Sequence, residues 1–243
     1  MAINSNVFIH DADRAAMNAL RSVPGFEQVA NLFMRYWSEK AMCIENMATK
    51  VRISSEQLSH YFDMLPPICD KLGIDIPELY LELDPVANAY AMGNEKSSIT
   101  ITSGLLETFP DELVPTVIAH ECGHIACHHM LYTTMAYWVA EGALRLAFSI
   151  IPGFLSEAAL MGIEGAFSYW SRCSEFSADR AAILCDGTPE KMFEVSMRLA
   201  GFDKDIGLEA NFDAFLEQAR EYRSLISDDG ANKAMELYMH FGF

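Results

Sequence analysis

The spacing of hydrophobic residues changes twice along the chain. From Val29 to Thr49, Leu32, Phe33, Tyr36, Trp37, Met42, Ile44 and Met47 build a broad apolar face, which predicts a helix. Ser54-Ser55-Glu56-Gln57 has capping character and predicts a second helix running to about Leu72, closed by Gly73. Pro66-Pro67 should bend or split that helix. The texture then becomes strand-like. Glu78 to Leu83 alternates polar and apolar, Asn88 to Met92 reads as a short edge strand, and Ser98 to Thr102 is β-branched. With a turn at Gly93-Asn94, the three pieces predict one small sheet. After Gly104 the helical texture returns and lasts to the end. Pro110-Asp111-Glu112 is a helix start with acids in its first turn, unless Pro115 takes the first helical position and delays the start. Further helices are expected over Phe154 to Cys185, Pro189 to Ala200, Phe212 to Ser224 and Ala231 to His240. The fold class is α+β, mostly α. Residues 1–243 read as one domain: N-terminal helices (1–75), a core of about 76–200, and C-terminal helices (201–243).

Composition narrows the function. The chain has 243 residues, with 17 Lys+Arg against 34 Asp+Glu. A net charge of −17 repels phosphate backbones, so no nucleic-acid partner is expected, and charge alone cannot dock the chain on anionic lipid. The six cysteines form no C-x-x-C pair, and a chain this large and hydrophobic needs no disulfide staples, which points to reduced thiols and a cytoplasmic setting. Met1 to His10 lacks the basic and apolar regions of a secretory signal. The most apolar region, Leu131 to Trp170, is interrupted by Glu141, Arg145, Pro152-Gly153, Glu157 and Glu164. Its uncharged stretches fall short of the about 20 residues a membrane span needs. It reads as two buried or amphipathic helices, leaving peripheral membrane contact through 131–170 open but no transmembrane span.

Chemistry concentrates at His120-Glu121-Cys122-Gly123-His124, an H-E-x-x-H motif inside the apolar run Leu113 to Met130. Residues four apart share one helix face, so both imidazoles can reach one ion. Glu121 lies about 100° around the helix from His120. That puts its carboxylate beside the metal, where it can act as general base on metal-bound water. Gly123 permits a close helix approach. A catalytic Zn²⁺ needs three protein ligands and an open position. Cys127 and Met130 occupy the places where a longer metzincin motif would carry Gly and His, which excludes that class. Three histidines along one straight helix would poorly surround a tetrahedral ion, so His128 and His129 are read as exposed or as partners outside the ligand set.

The better third ligand is Glu175, in Ser174-Glu175-Phe176-Ser177-Ala178-Asp179-Arg180. Asp179, four residues on, shares its face and could accept the outer N–H of a ligand histidine. The same residues also fit a solvated acidic helix face, and spacing alone does not decide between the two.

Three segments resemble the HtpX-like and CAAX-prenyl-protease-type family of zinc metallopeptidases, which are gluzincins. They are Asn88-Ala89-Tyr90-Ala91 with Ile99-Thr100-Ile101-Thr102-Ser103-Gly104-Leu105-Leu106, Val117 to His124, and Ser174 to Asp179. Asp13-Arg14-Ala15-Ala16 and Pro24-Gly25-Phe26 resemble a bacterial subgroup. The resemblance implies a zincin-like core, one Zn²⁺ on His120, His124 and Glu175, and zinc endopeptidase activity, with protein quality control as its expected setting. It also implies an extended or unfolded polypeptide substrate laid along the edge strand of Asn88, Ala89, Tyr90 and Ala91. Two departures stand out. Membrane members carry transmembrane helices that this chain lacks. The family's His-Pro and downstream Arg have no match before His240-Phe241-Gly242-Phe243, so a shortened C-terminus or loss of that element is expected, and no transition-state donor is assigned. The alternative function is a catalytically weak, zinc-bound peptide-binding adaptor or chaperone.

Overall fold

A computed structural model describes residues 2–93, 95–140, 156–201 and 211–227. The N-terminal region folds into α1 (Asp11–Ser22), α2 (Phe26–Tyr36) and α3 (Glu39–Thr49). The single helix expected from Val29 to Thr49 is therefore two. Ser38 causes the break: its hydroxyl accepts the Ala41 N–H at 3.3 Å and starts α3 afresh. A short strand, β1 (Val51–Ile53), follows, so the first third is not purely helical. Ser54 does not cap a helix; it exchanges backbone hydrogen bonds with Gln57 at 2.8 and 3.1 Å. The helix expected to Leu72 is split into α4 (Ser59–Phe62) and α5 (Leu65–Leu72), with the proline pair in the first turn of α5. Gly73 ends α5 at φ 70°, the left-handed cap expected of it.

The predicted sheet forms with one strand more. β2 (Glu78–Glu82), β3 (Ala89–Gly93) and β4 (Ser97–Thr102) join β1 in the order β1-β2-β4-β3. β2 and β4 are parallel, and β3 is antiparallel to β4 at the sheet's edge. Side chains alternate between faces. Ile53, Leu79, Ala91, Ile99 and Ile101 enter a core shared with α5, α6 (Ser103–Thr108) and α7 (Val114–Ala126). The opposite face carries Ser98 and Thr100, which hydrogen-bond Asn46 of α3 and Lys50 just beyond its end.

The regular part of α7 begins at Val114, with Pro115 in its first turn, the later of the two starts the sequence permitted. Beyond it lie α8 (Met130–Ala140), α9 (Glu157–Asp186), α10 (Glu190–Leu199) and α11 (Phe212–Ser227). The helix expected over Ala231 to His240, and the middle of the Leu131–Trp170 region, lie outside the described residues. Among the described residues, no helix is long and apolar enough to cross a membrane.

The 30-residue α9 organises the site. Its first half places Leu160, Ile163, Phe167 and Trp170 in a second core with Leu20 of α1, Phe33 of α2 and Met135 of α8. Its second half places Ala181 and Ala182 in the sheet-side core. The polar segment Ser174 to Asp179 falls between the two, against α7.

Candidate metal centre

Buried apolar residues hold α7 on several sides, so its two histidines have little freedom. Gly123 sets how close α9 comes. A Cβ there would lie 2.7 Å from the Ala181 Cβ and 3.0 Å from the Ala178 Cα. The close approach expected at Gly123 is thus made by the helix that carries Glu175.

The approach brings three donors together. His120 Nε2 lies 3.1 Å from Glu175 Oε2, His124 Nε2 lies 3.4 Å from Glu175 Oε1, and the two Nε2 atoms are 3.2 Å apart. Donors at about 2.0–2.1 Å from a tetrahedral ion are spaced about 3.3–3.4 Å from one another. The triangle therefore has the dimensions of a zinc ligand set, and the two-nitrogen, one-carboxylate chemistry suits that ion. The imidazoles are largely covered, at 13% and 11% exposure, whereas Glu175 is 49% exposed. The site opens on the Glu175 side.

The sequence pairing of Asp179 with a histidine resolves to His120. Asp179 Oδ1 accepts from His120 Nδ1 at 3.0 Å, which leaves Nε2 facing Glu175 and His124. Burial pulls the His120 pKa down, but the hydrogen bonds to Asp179 and Glu175 outweigh it and raise it well above the ordinary value. Burial pushes the Glu175 carboxyl up, but the hydrogen bonds to His120 and His124 hold it well below the usual carboxylate range.

Glu121 is only 6% exposed and stands outside the three-donor group. Burial pushes its carboxyl above the ordinary range; the two histidines and a hydrogen bond from the Ala91 backbone offset this only in part. Glu121 shares a cavity of about 290 Å³ with His120, Glu175, Asn88 and Ala89. Val117 of α7 and Met192 and Val195 of α10 give the same cavity an apolar wall.

The four edge-strand residues divide by backbone and side chain. Asn88 and Thr102 form a hydrogen-bonded pair, with the Thr102 N–H donating to the Asn88 carbonyl at 3.0 Å. Alternation then turns the backbone groups of Ala89 and Ala91 away from β4. Tyr90 projects to the other face, where its hydroxyl donates to Glu82 at 2.6 Å and accepts from Lys50 at 2.8 Å. Its ring is therefore remote from the cavity.

His128 is exposed, at φ 59°. His129 is 3% exposed, and its Nδ1 lies 3.0 Å from His124 Nδ1. His129 is not one of the three clustered donors; it pairs with His124, and Asp13 of α1 stands behind it. No local signal marks Asp13 as part of the site, because its contacts with His129 and Trp170 span 116 and 157 residues.

The model of Peptidase family M48 matches residues 67–236, well over half the chain. The chain belongs to peptidase family M48. Among its M48 relatives is the Plastoglobule-localized metallopeptidase 48, chloroplastic, of Arabidopsis thaliana. The two are 33% identical over 222 residues, covering 90% of this chain and 63% of that protein. A Protease HtpX homolog from Nostoc punctiforme is 29% identical, over 77% of this chain and 72% of that protein. One from Sulfurovum sp. is 27% identical, over 73% and 70%. The chain thus spans less than two thirds of the length of the plant relative. No solved structure matches it. The HtpX-like family expected from the three motif segments is therefore the family found, and the mostly helical fold with a small mixed sheet is consistent with M48 metalloproteases.

Proposed function

We propose that this M48 member is a zinc-dependent endopeptidase that cleaves extended or unfolded polypeptide with water. The observation that carries this reading is the donor triangle of His120, His124 and Glu175, with the buried carboxylate of Glu121 in the same cavity. Bound by the three donors, Zn²⁺ would polarise a substrate carbonyl and lower the pKa of its water to about 7.

The chain's own groups supply the rest. Asp179 accepts the Nδ1–H of His120, which would leave the Nε2 lone pair to hold the ion. Glu121 takes a proton from the attacking water at its carboxylate and passes it to the leaving amine. Burial raises that carboxyl above its ordinary range, a direction that strengthens its hold on the proton it takes. The outward backbone groups of Ala89 can pair with an extended peptide. Strand pairing selects unfolded chain over folded surface, which is why a quality-control role belongs to the same reading. A reducing, cytoplasmic setting also belongs to it, supported by the free thiols of all six cysteines.

Zinc content and the digestion of an unstructured protein such as casein test the proposal. The purified chain should hold about one zinc, lose cleavage on chelation, and regain it on adding Zn²⁺. A chain that cleaves equally well after its metal is stripped would contradict it. A chain that holds zinc and binds extended peptide without cleaving it would be an adaptor.

A further inference from the structure

A buried polar cluster lies behind His124, away from the cavity, and joins the N-terminal helix to the donor triangle. Its centre is Asp13 of α1, only 3% exposed. A buried carboxylate is costly unless hydrogen bonds compensate it. Asp13 has three: Ser177 Oγ donates to Oδ2 at 2.6 Å, His129 Nε2 to Oδ2 at 2.9 Å, and Trp170 Nε1 to Oδ1 at 3.2 Å. Ser177 in turn accepts the His10 backbone N–H at 2.9 Å.

The directions of these bonds follow from the chemistry. The Asp13 carboxylate only accepts, so His129 carries its proton on Nε2. The neutral ring of His129 then has a lone pair on Nδ1, and the atom 3.0 Å away is His124 Nδ1. His124 must therefore donate from Nδ1, which leaves its Nε2 lone pair directed at Glu175 and His120. The backbone is shaped for this contact. His128 adopts φ 59°, and the His129 N–H returns to the His124 carbonyl at 3.0 Å. The turn brings the His129 ring edge-on to that of His124, with the centroids 5.2 Å apart.

We propose that Asp13 and His129 are positioning residues for His124: Asp13 orients His129, and His129 fixes the tautomer that presents His124 Nε2 to the metal. This rests on the reading of His120, His124 and Glu175 as a zinc site. It gives each ligand histidine a carboxylate anchor, direct for His120 through Asp179 and relayed for His124 through His129. It also makes α1, far away in sequence, part of the metal centre.

The test measures Zn²⁺ affinity by competition with a chromogenic chelator, and the visible spectrum of the Co²⁺-loaded protein. Asp13→Asn and His129→Ala should each weaken Zn²⁺ binding by roughly 10- to 100-fold and alter the Co²⁺ spectrum. The double variant should be little weaker than either single one, because the two residues act in series. Leu20→Ala loosens α1 through its buried apolar face. It should lower the melting temperature and leave Zn²⁺ affinity unchanged. Wild-type affinity in Asp13→Asn and His129→Ala would overturn the relay, as would an equal loss in Leu20→Ala, which would reduce Asp13 to a helix anchor. Should the polar variants fail to fold, nitrogen-15 NMR of the zinc-loaded wild type decides. A proton on His129 Nε2 and on His124 Nδ1 supports the relay, and a proton on His129 Nδ1 overturns it. A folded wild type that binds no Zn²⁺ overturns the metal reading itself.

Discussion

The Cβ that Gly123 lacks would sit 2.7 Å from the Cβ of Ala181, closer than two such carbons can approach. The separation of α7 and α9 is therefore set at a residue inside the H-E-x-x-H motif. Because α9 carries Glu175, the contact also sets the size of the donor triangle.

Gly123→Ala should force the helices apart. Overpacking of this kind costs about 1–3 kcal/mol. In a chain of this size that lowers the melting temperature by roughly 2–4 °C for each kcal/mol. Zinc affinity should fall as well, because Glu175 retreats from both histidines. Calorimetry alongside zinc competition checks both; a variant with unchanged zinc affinity would mean that α9 adjusts elsewhere.

Asp179→Ala removes the outer anchor of His120. Zinc binding should weaken by roughly 10- to 100-fold, with the fold retained. Unchanged affinity would make Asp179 an ordinary surface acid.

The thiols offer a test that does not involve the metal. All six should be reduced in the native protein, so its mass measured without reductant should show no loss of hydrogen to disulfides. Burial pushes the Cys127 thiol up to about 12 and the Cys185 thiol up to about 11. The thiolate is the reactive form, so neither should alkylate readily at pH 8 until the protein unfolds. Prompt labelling of Cys127 in the native state would contradict the raised pKa of this half-buried thiol.

How much of this was legible in the sequence depended on the range of each interaction. His120, Glu121 and His124 lie within two helical turns, so the helix period alone puts the histidines on one face. Glu175 and Asp179 also share a face. Their meeting with α7, however, depends on helix packing across 55 residues, and only the family resemblance connected the two segments. Asp13 is a further step removed. Its partners Trp170 and Ser177 lie 157 and 164 residues further along the chain, and no local pattern distinguishes a buried, triply bonded aspartate from a helix-capping one. The misread secondary structure had local causes. Ser38 competed successfully for a helix start within an apolar pattern that continued across it. Val51 to Ile53 is too short for alternation to register, and only pairing with Leu79 to Leu81 makes it a strand. The β2, β3 and β4 segments were readable from their β-branched and alternating residues, but their burial was not: Tyr80, Ser98 and Thr100 are buried along with Leu79, Ile99 and Ile101, and Leu83 is exposed.

The central claim is that Glu121 moves protons while His120, His124 and Glu175 hold the metal. Glu121→Gln keeps size and hydrogen-bonding capacity but removes the base. Zinc content and casein hydrolysis, measured on the same preparation of this variant and of the wild type, test that division of labour most directly. The account predicts about one zinc per chain in both, with hydrolysis reduced by at least 10²–10⁴-fold in the variant, as is typical for loss of a general base. A Glu121→Gln protein that loses its zinc yet cleaves as fast as the wild type would contradict it.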